Sequence, residues 1–127
     1  MLEIYKLIDA KLSTLSIPVY ADLYPKAKTG SKVYPYIIFN FPNTFNLNYS
    51  DINQMQIDIW DNKTSVIEIE TISKKVDDIF KHLLFNNTEI FVKTYRDKPY
   101  RLKLDEIDNG IQRRQLRYVV KAMSKVI

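Results

Sequence analysis

The apolar positions of Leu2–Leu15 recur every three to four residues: Leu2, Tyr5, Ile8 and Leu12, widened by Ile4, Leu7 and Leu15. Glu3, Lys6, Asp9, Lys11 and Ser13 fall mostly on the other side. This pattern predicts an amphipathic helix with one buried face. Pro18 closes it, because proline has no N–H for the next helical bond and pushes Ile17 towards extended geometry. A second stripe, Ile69, Ile72, Val76, Ile79, Phe80 and Leu83, predicts a longer helix over Ser65–Leu84. Glu70, Lys74, Asp77, Asp78 and Lys81 sit largely outside that stripe. Ser65 followed by Glu68 predicts a capping box, and Asn86-Asn87 predicts the stop.

Elsewhere the period falls to two. Val19–Leu23 is rich in β formers. Tyr36–Phe41, bracketed by Pro35 and Pro42, is apolar on both faces and predicts a central or doubly covered strand. In Gln54–Trp60, Met55, Ile57 and Ile59 share one face, and Gln54, Gln56, Asp58 and Trp60 the other. Three more strands are predicted: Glu89–Tyr95, Arg101–Asp105 with Leu102 and Leu104 inward, and Gln115–Met123 with Leu116, Tyr118, Val120 and Ala122 inward. Arg96–Pro99 and Asp108–Gly110 read as turns, with Gly110 at positive φ. Tyr24–Tyr34 and Asn43–Asn53 read as polar connections. The expected fold class is α+β: a mainly antiparallel sheet with two helices packed on one face, as a single domain over residues 1–127. Two helices cover only one side, so polar side chains such as Asp58 are expected to line the other.

Composition narrows the chemistry. A chain of 127 residues, 46% apolar and 27% charged, fits one globular domain. No apolar run approaches the ~20 residues of a spanning helix, so no membrane partner is expected. The absence of cysteine excludes disulfides, thiol nucleophiles and cysteine-based zinc or iron–sulfur sites. With glycine only at positions 30 and 110, glycine-rich phosphate loops are excluded as well. Met1–Tyr5 has no basic segment leading into an apolar run, so no secretory signal is expected and synthesis is assigned to the cytoplasm.

The net charge of +4 is unevenly placed. Residues 1–64 carry six bases and six acids, whereas residues 65–127 carry thirteen bases and nine acids. Asn109–Ile127 holds Arg113, Arg114, Arg117, Lys121 and Lys125 and no acid; Asn43–Asn62 holds Asp51, Asp58 and Asp61 and no base. Such segregation suits an anionic partner, or identical chains meeting acid to base, as well as a plainly solvated basic face.

His82 is the sole histidine. It falls near the end of the long helix, where a cation suits the helix dipole, and one histidine cannot build a histidine-rich metal site. Asp105, Glu106 and Asp108 cluster in a turn without the glycine punctuation of a calcium loop. Glu89 and Lys93 share a strand region but match no metal-nuclease spacing. No metal or cofactor is therefore called for, although a small metal-dependent nuclease acting through Asp105 or Asp108 stands as a minor alternative. The nine tyrosines suit sheet packing, interfaces, or base stacking beside the lysines of Tyr24–Tyr34.

In order along the chain come a short N-terminal helix, Val19-Tyr20-Ala21-Asp22, Tyr34-Pro35-Tyr36-Ile37-Ile38, Gln56-Ile57-Asp58-Ile59-Trp60-Asp61 and a long helix. The series closes with Arg113-Arg114-Gln115-Leu116-Arg117-Tyr118. This series resembles the tail completion (tail terminator, tail-to-head joining) family of long-tailed bacteriophages. The resemblance spans nearly the whole chain and is weakest over Glu89–Asp108. It implies a small α+β protein without catalysis that forms a hexameric ring on the end of the tail tube. Such a ring stops tube growth and docks the head connector or head-closure protein, while DNA passes through the lumen without sequence-specific binding. Implied with it are a tail-tube partner and a place in the virion neck after assembly in the host cytoplasm. On this reading Asp58, Arg113, Arg114, Arg117 and Lys121 are candidates for the ring seam or lumen. Lys26, Lys28 and Lys32 are candidates for a loop that contacts the tube or connector. The alternative function is a small basic nucleic-acid-binding domain using the C-terminal half.

Overall fold

A computed structural model describes residues 2–25, 33–42, 50–106 and 109–125. The chain runs α1 (Leu2–Ser13), β1 (Val19–Ala21), β2 (Tyr36–Asn40), β3 (Ser50–Asp61), α2 (Ile67–Phe80), β4 (Leu84–Asn86), β5 (Ile90–Lys103) and β6 (Gln112–Ser124). The six strands form one sheet in the order β1-β2-β3-β6-β5-β4. β1 pairs parallel with β2, and all other neighbours are antiparallel. Both helices lie on one face, so the fold is α+β as the pattern predicts.

Alternation sorts the sheet. Met55, Ile57 and Ile59 of β3 point towards the helices, as do Leu116, Tyr118, Val120 and Ala122 of β6. They meet Ile4, Leu7, Ile8 and Leu12 of α1 and Ile69, Ile72, Val76 and Phe80 of α2 in one core. Each fully buried aliphatic side chain there is worth roughly 1.5–3 kcal/mol relative to exposure. The β3–β6 pairing runs unbroken from Ser50 opposite Met123 to Asp61 opposite Gln112. Ser50–Asn53 therefore belongs to a strand and not to the polar connection expected there, because its backbone completes the ladder with β6. The rest of that connection, residues 43–49, lies outside the described residues.

α2 is shorter than its apolar stripe. The capping box does not form: the Ile67 N–H donates to Ser65 Oγ (3.2 Å), while Glu68 pairs with Lys63 (2.7 Å). At the other end the chain leaves the helix after Phe80 so that Leu84 can enter β4. Asn87 works in the hairpin instead of stopping the helix. Its Oδ1 accepts the N–H groups of Glu89 (2.8 Å) and Ile90 (2.7 Å).

The largest departure is in β5. The expected turn at Arg96–Pro99 is a bulge within one long strand. Arg96 pairs with Tyr118 and Arg101 with Leu116, so Asp97–Tyr100 stand against Arg117 alone. Pro99 is tolerated because its missing N–H falls where the ladder is already interrupted. The bulge reverses the alternation. Before it, the even-numbered Ile90, Val92, Thr94 and Arg96 face the helices; after it, the odd-numbered Arg101 does. Leu102 and Leu104 consequently turn to the opposite face and are not inward, as simple alternation predicts; Leu104 is 38% exposed. Gly110 has the expected positive φ, +66°.

The reversal is testable by thermal or urea denaturation. Leu116→Ala is expected to cost about 2–5 kcal/mol, as large-to-small core changes do. Leu104→Gln is expected to stay within about 0.5 kcal/mol, as surface changes do.

Candidate functional site

The sheet face away from the helices carries Arg113, Gln115, Arg117, Val119, Lys121 and Met123, the odd-numbered residues of β6. Register sets Asp58 opposite Gln115, Trp60 opposite Arg113 and Gln56 opposite Arg117. Arg113 Nε donates to Asp58 Oδ1 (3.0 Å), and Gln115 Nε2 donates to the same oxygen (3.1 Å). Arg117 Nε donates to Gln115 Oε1 (2.9 Å), which extends the chain of contacts. Asp58 is thus an almost fully buried carboxylate whose charge is met by Arg113. Four of the five candidate seam residues, Asp58, Arg113, Arg117 and Lys121, share this face. Lys121 stands apart, opposite Ile52 and Lys93.

At one end of the face the Arg113 guanidinium covers the Trp60 ring (4.6 Å to its centroid). Trp60 stacks on Tyr36 (6.1 Å, 12° between planes), and Tyr20, Tyr24 and Tyr34 pack around Tyr36 at 5.0–6.4 Å. Burial, with the neighbouring Tyr34 and Tyr24, raises the Tyr36 hydroxyl pKa above its ordinary value. This nest joins β1, β2 and β3 and gives a packing role to tyrosines that read equally well as interface or base-stacking groups. Lys26, Lys28 and Lys32 lie outside the described residues.

Arg114 is separated from the other candidates. It lies beneath α2, 3% exposed, with Nε on Glu70 Oε1 (3.0 Å) and Nη1 on Asp105 Oδ1 (2.7 Å). Arg101 pairs with the other oxygen of Glu70. Nearby, Asp77 accepts from Arg96, with Nε at 3.1 Å, and from the Tyr118 hydroxyl at 2.9 Å. Asp77 is therefore buried against the sheet, whereas its place beside the apolar stripe suggested the outer side. The readable signal was its spacing with Glu70 and Ser73, a polar stripe next to the apolar one. Its arginine partners lie on strands remote in sequence.

Burial of Asp77 opposes its ionised form, but Arg96 and the Tyr118 hydroxyl outweigh that and hold its carboxyl below the ordinary range. Glu70 is lowered by the hydrogen bond from Arg101, against burial and together with Arg114. Asp105 follows the same logic: burial raises it, but the Arg113 N–H and Arg114 bring it below its usual value. Tyr118 moves the other way, raised by burial and by the Asp77 charge. Glu70, Asp77, Arg96 and Arg101 line a groove of about 420 Å³ between α2 and β5, which Lys74, Asp78, Lys81 and Tyr100 also border. Glu70 and Asp77 are engaged by guanidinium groups from the strands, which clamps α2 onto the sheet, while Asp78 pairs with Lys74 and Lys81. Asp105 is engaged by the Arg114 guanidinium, and Asp108 lies outside the described residues. Among the described residues no three metal-ligating side chains gather. His82, two residues past α2, borders a separate surface groove with Lys81, Tyr95 and Arg96.

Compared with family models and with curated proteins, the chain matches none.

Depressed carboxyl pKa values bind fewer protons in the folded state than in the unfolded one. Stability is therefore full above the unfolded values of about 4 and is lost as pH falls through the folded values. The melting temperature is expected to decline from about pH 5 to pH 3, measured by circular dichroism. Asp77→Asn is expected to flatten that decline and to lower stability at pH 7, because it removes the charge that meets Arg96 and the Tyr118 hydroxyl.

Proposed function

We propose that this protein is a non-enzymatic structural subunit that forms a ring on the end of a bacteriophage tail tube, ending tube growth and joining the tail to the head connector. The observation that supports this most is the asymmetry of the sheet. Among the described residues no helix covers one of its faces, and it ends in two unlike three-residue edge strands, β1, paired parallel, and β4, paired antiparallel. Unlike edges allow a head-to-tail joint, β1 of one chain against β4 of the next, and such joints give a ring where the rotation between neighbours closes. Short edges also limit open-ended strand addition, which suits an assembly that must stop.

The motif order from Val19 to Tyr118 supports the same reading. Its motifs fall on adjacent strands: Val19–Ala21 on β1, Tyr36-Ile37-Ile38 on β2, Gln56–Asp61 on β3 and Arg113–Tyr118 on β6. Arg117 and Lys121 are the basic residues left on this face for a seam or lumen, beside Arg113, which Asp58 already holds. Arg114 is withdrawn from that role, because Glu70 and Asp105 already take its charge. In this reading the tube and connector are protein partners, and DNA is a passenger in the lumen.

Light scattering across a concentration range, with electron microscopy of the same samples, tests the proposal. The expected result is a species of about 90 kDa, six chains of 15.0 kDa, or rings of that size seated on tail tubes. A monomer at every concentration, with no rings on tubes, overturns it.

A further inference from the structure

We propose that the β5–β6 half of the bare sheet face is a platform for single-stranded nucleic acid. The inference goes beyond the ring reading and does not depend on it. Phe91, Lys93 and Tyr95 alternate along β5 on this face, in register with Met123, Lys121 and Val119 of β6. Two residues of strand advance about 7 Å, so each ring stands about 7 Å from the lysine between them and about 14 Å from the other ring, which leaves each free to take a base. Tyr95 is 37% exposed and Lys93 and Lys121 are exposed. A groove of about 340 Å³ runs between Phe91, Lys93, Lys121 and Met123.

The charge on this half-face is unbalanced. Lys93 stands directly opposite Lys121 in the ladder, and like charges so placed destabilise a sheet. Among the described residues neither lysine forms an ion pair. Asp58 is held by Arg113 and Gln115, and Asp97, at the bulge, accepts from Gln54 Nε2 (2.7 Å) and the Lys98 N–H (2.8 Å). Among the described residues Arg117 donates to the neutral Gln115 and to no carboxylate. An anion laid along β6 would relieve the repulsion. A protein partner fits less well, since interface cores are depleted of lysine. A duplex fits less well too, because its bases are stacked on one another and offer no faces to Phe91 and Tyr95. Aromatic rings interleaved with unpaired cations on an open sheet match the chemistry of an unpaired strand, with stacked bases and a tracked backbone.

Fluorescence anisotropy with a labelled oligothymidylate of about 12 nucleotides tests this, with the same-length duplex as comparison. Binding is expected to prefer the single strand and to weaken with salt. Lys121→Gln is expected to reduce the slope of log affinity against log salt by about 0.7. Tyr95→Ala is expected to weaken binding roughly tenfold, and Tyr95→Phe to preserve it, because the ring stacks and the hydroxyl does not. These two positions are exposed, so the test does not depend on Phe91 tolerating change. No binding at low salt, equal binding of the duplex, or indifference to Tyr95→Ala and Lys121→Gln overturns the proposal. If those variants instead dissolve a ring while the wild type ignores DNA, the face is a subunit seam; the platform is then rejected and the ring reading stands.

Discussion

Four residues of β5, Asp97–Tyr100, stand opposite one residue of β6, and the seating of α2 follows from that mismatch. A regular strand would send Arg96 and Arg101, five positions apart, to opposite faces of the sheet. The bulge brings both to the helix side. There Arg96 reaches Asp77 and Arg101 reaches Glu70, seven positions apart on one side of α2. Arg114, from the neighbouring strand, joins Glu70 and ties it to Asp105. α2 therefore has two kinds of contact with the sheet: an apolar row ending in Phe80, and beside it a polar row satisfied by guanidinium groups. The apolar row supplies burial energy but little direction. The polar row fixes the position of the helix, since a buried carboxylate without its partner is costly.

The two faces of the sheet thereby differ in kind. On the helix side, Arg96, Arg101 and Arg114 are matched to Asp77, Glu70 and Asp105, with Arg114 and Asp77 largely withdrawn from solvent. On the bare side, matching stops partway along. Around Asp58 the polar groups hold one another, and around Trp60 and Tyr36 the aromatics do so. Towards Lys93 and Lys121 nothing described balances the charge. Long strands keep that half rigid, so whatever meets it meets a preformed surface. The ring proposal draws on the edges of the sheet and the basic row of β6, and the strand proposal on the β5–β6 half of the same face, so Lys121 figures in both.

Helix and strand existence was legible where an element has a clean period; the three-residue β4, read as the end of the long helix and its stop, was not. The stripe Ile69-Ile72-Val76 admits only a helix, and Met55-Ile57-Ile59 only a half-buried strand. The placement of Asp58 on the uncovered side followed from counting helices. What escaped the reading was β5, where Arg96-Asp97-Lys98-Pro99 has the composition of a turn. A bulge and a hairpin turn share their residues, and they differ only in whether the chain finds the same neighbour again afterwards. Leu102, Leu104 and Arg101 were assigned to the wrong faces for that reason. Arg113 and Arg114 looked equivalent as a pair, yet adjacent residues of a strand point to opposite sides, and only the register says which side holds α2.

The sequence by itself determined the α+β class, the inward residues of β3 and β6, and the supply of charge and aromatic side chains. Those are local properties, carried by periodicity and composition over a few residues. Tertiary structure alone decided the strand order β1-β2-β3-β6-β5-β4, the reversal of alternation in β5, the pairing of Asp77 with Arg96, and the meeting of Lys93 with Lys121. Each of these joins segments distant along the chain. The free energy that selects them arises only when whole strands and helices are packed together, so no single stretch of sequence encodes it.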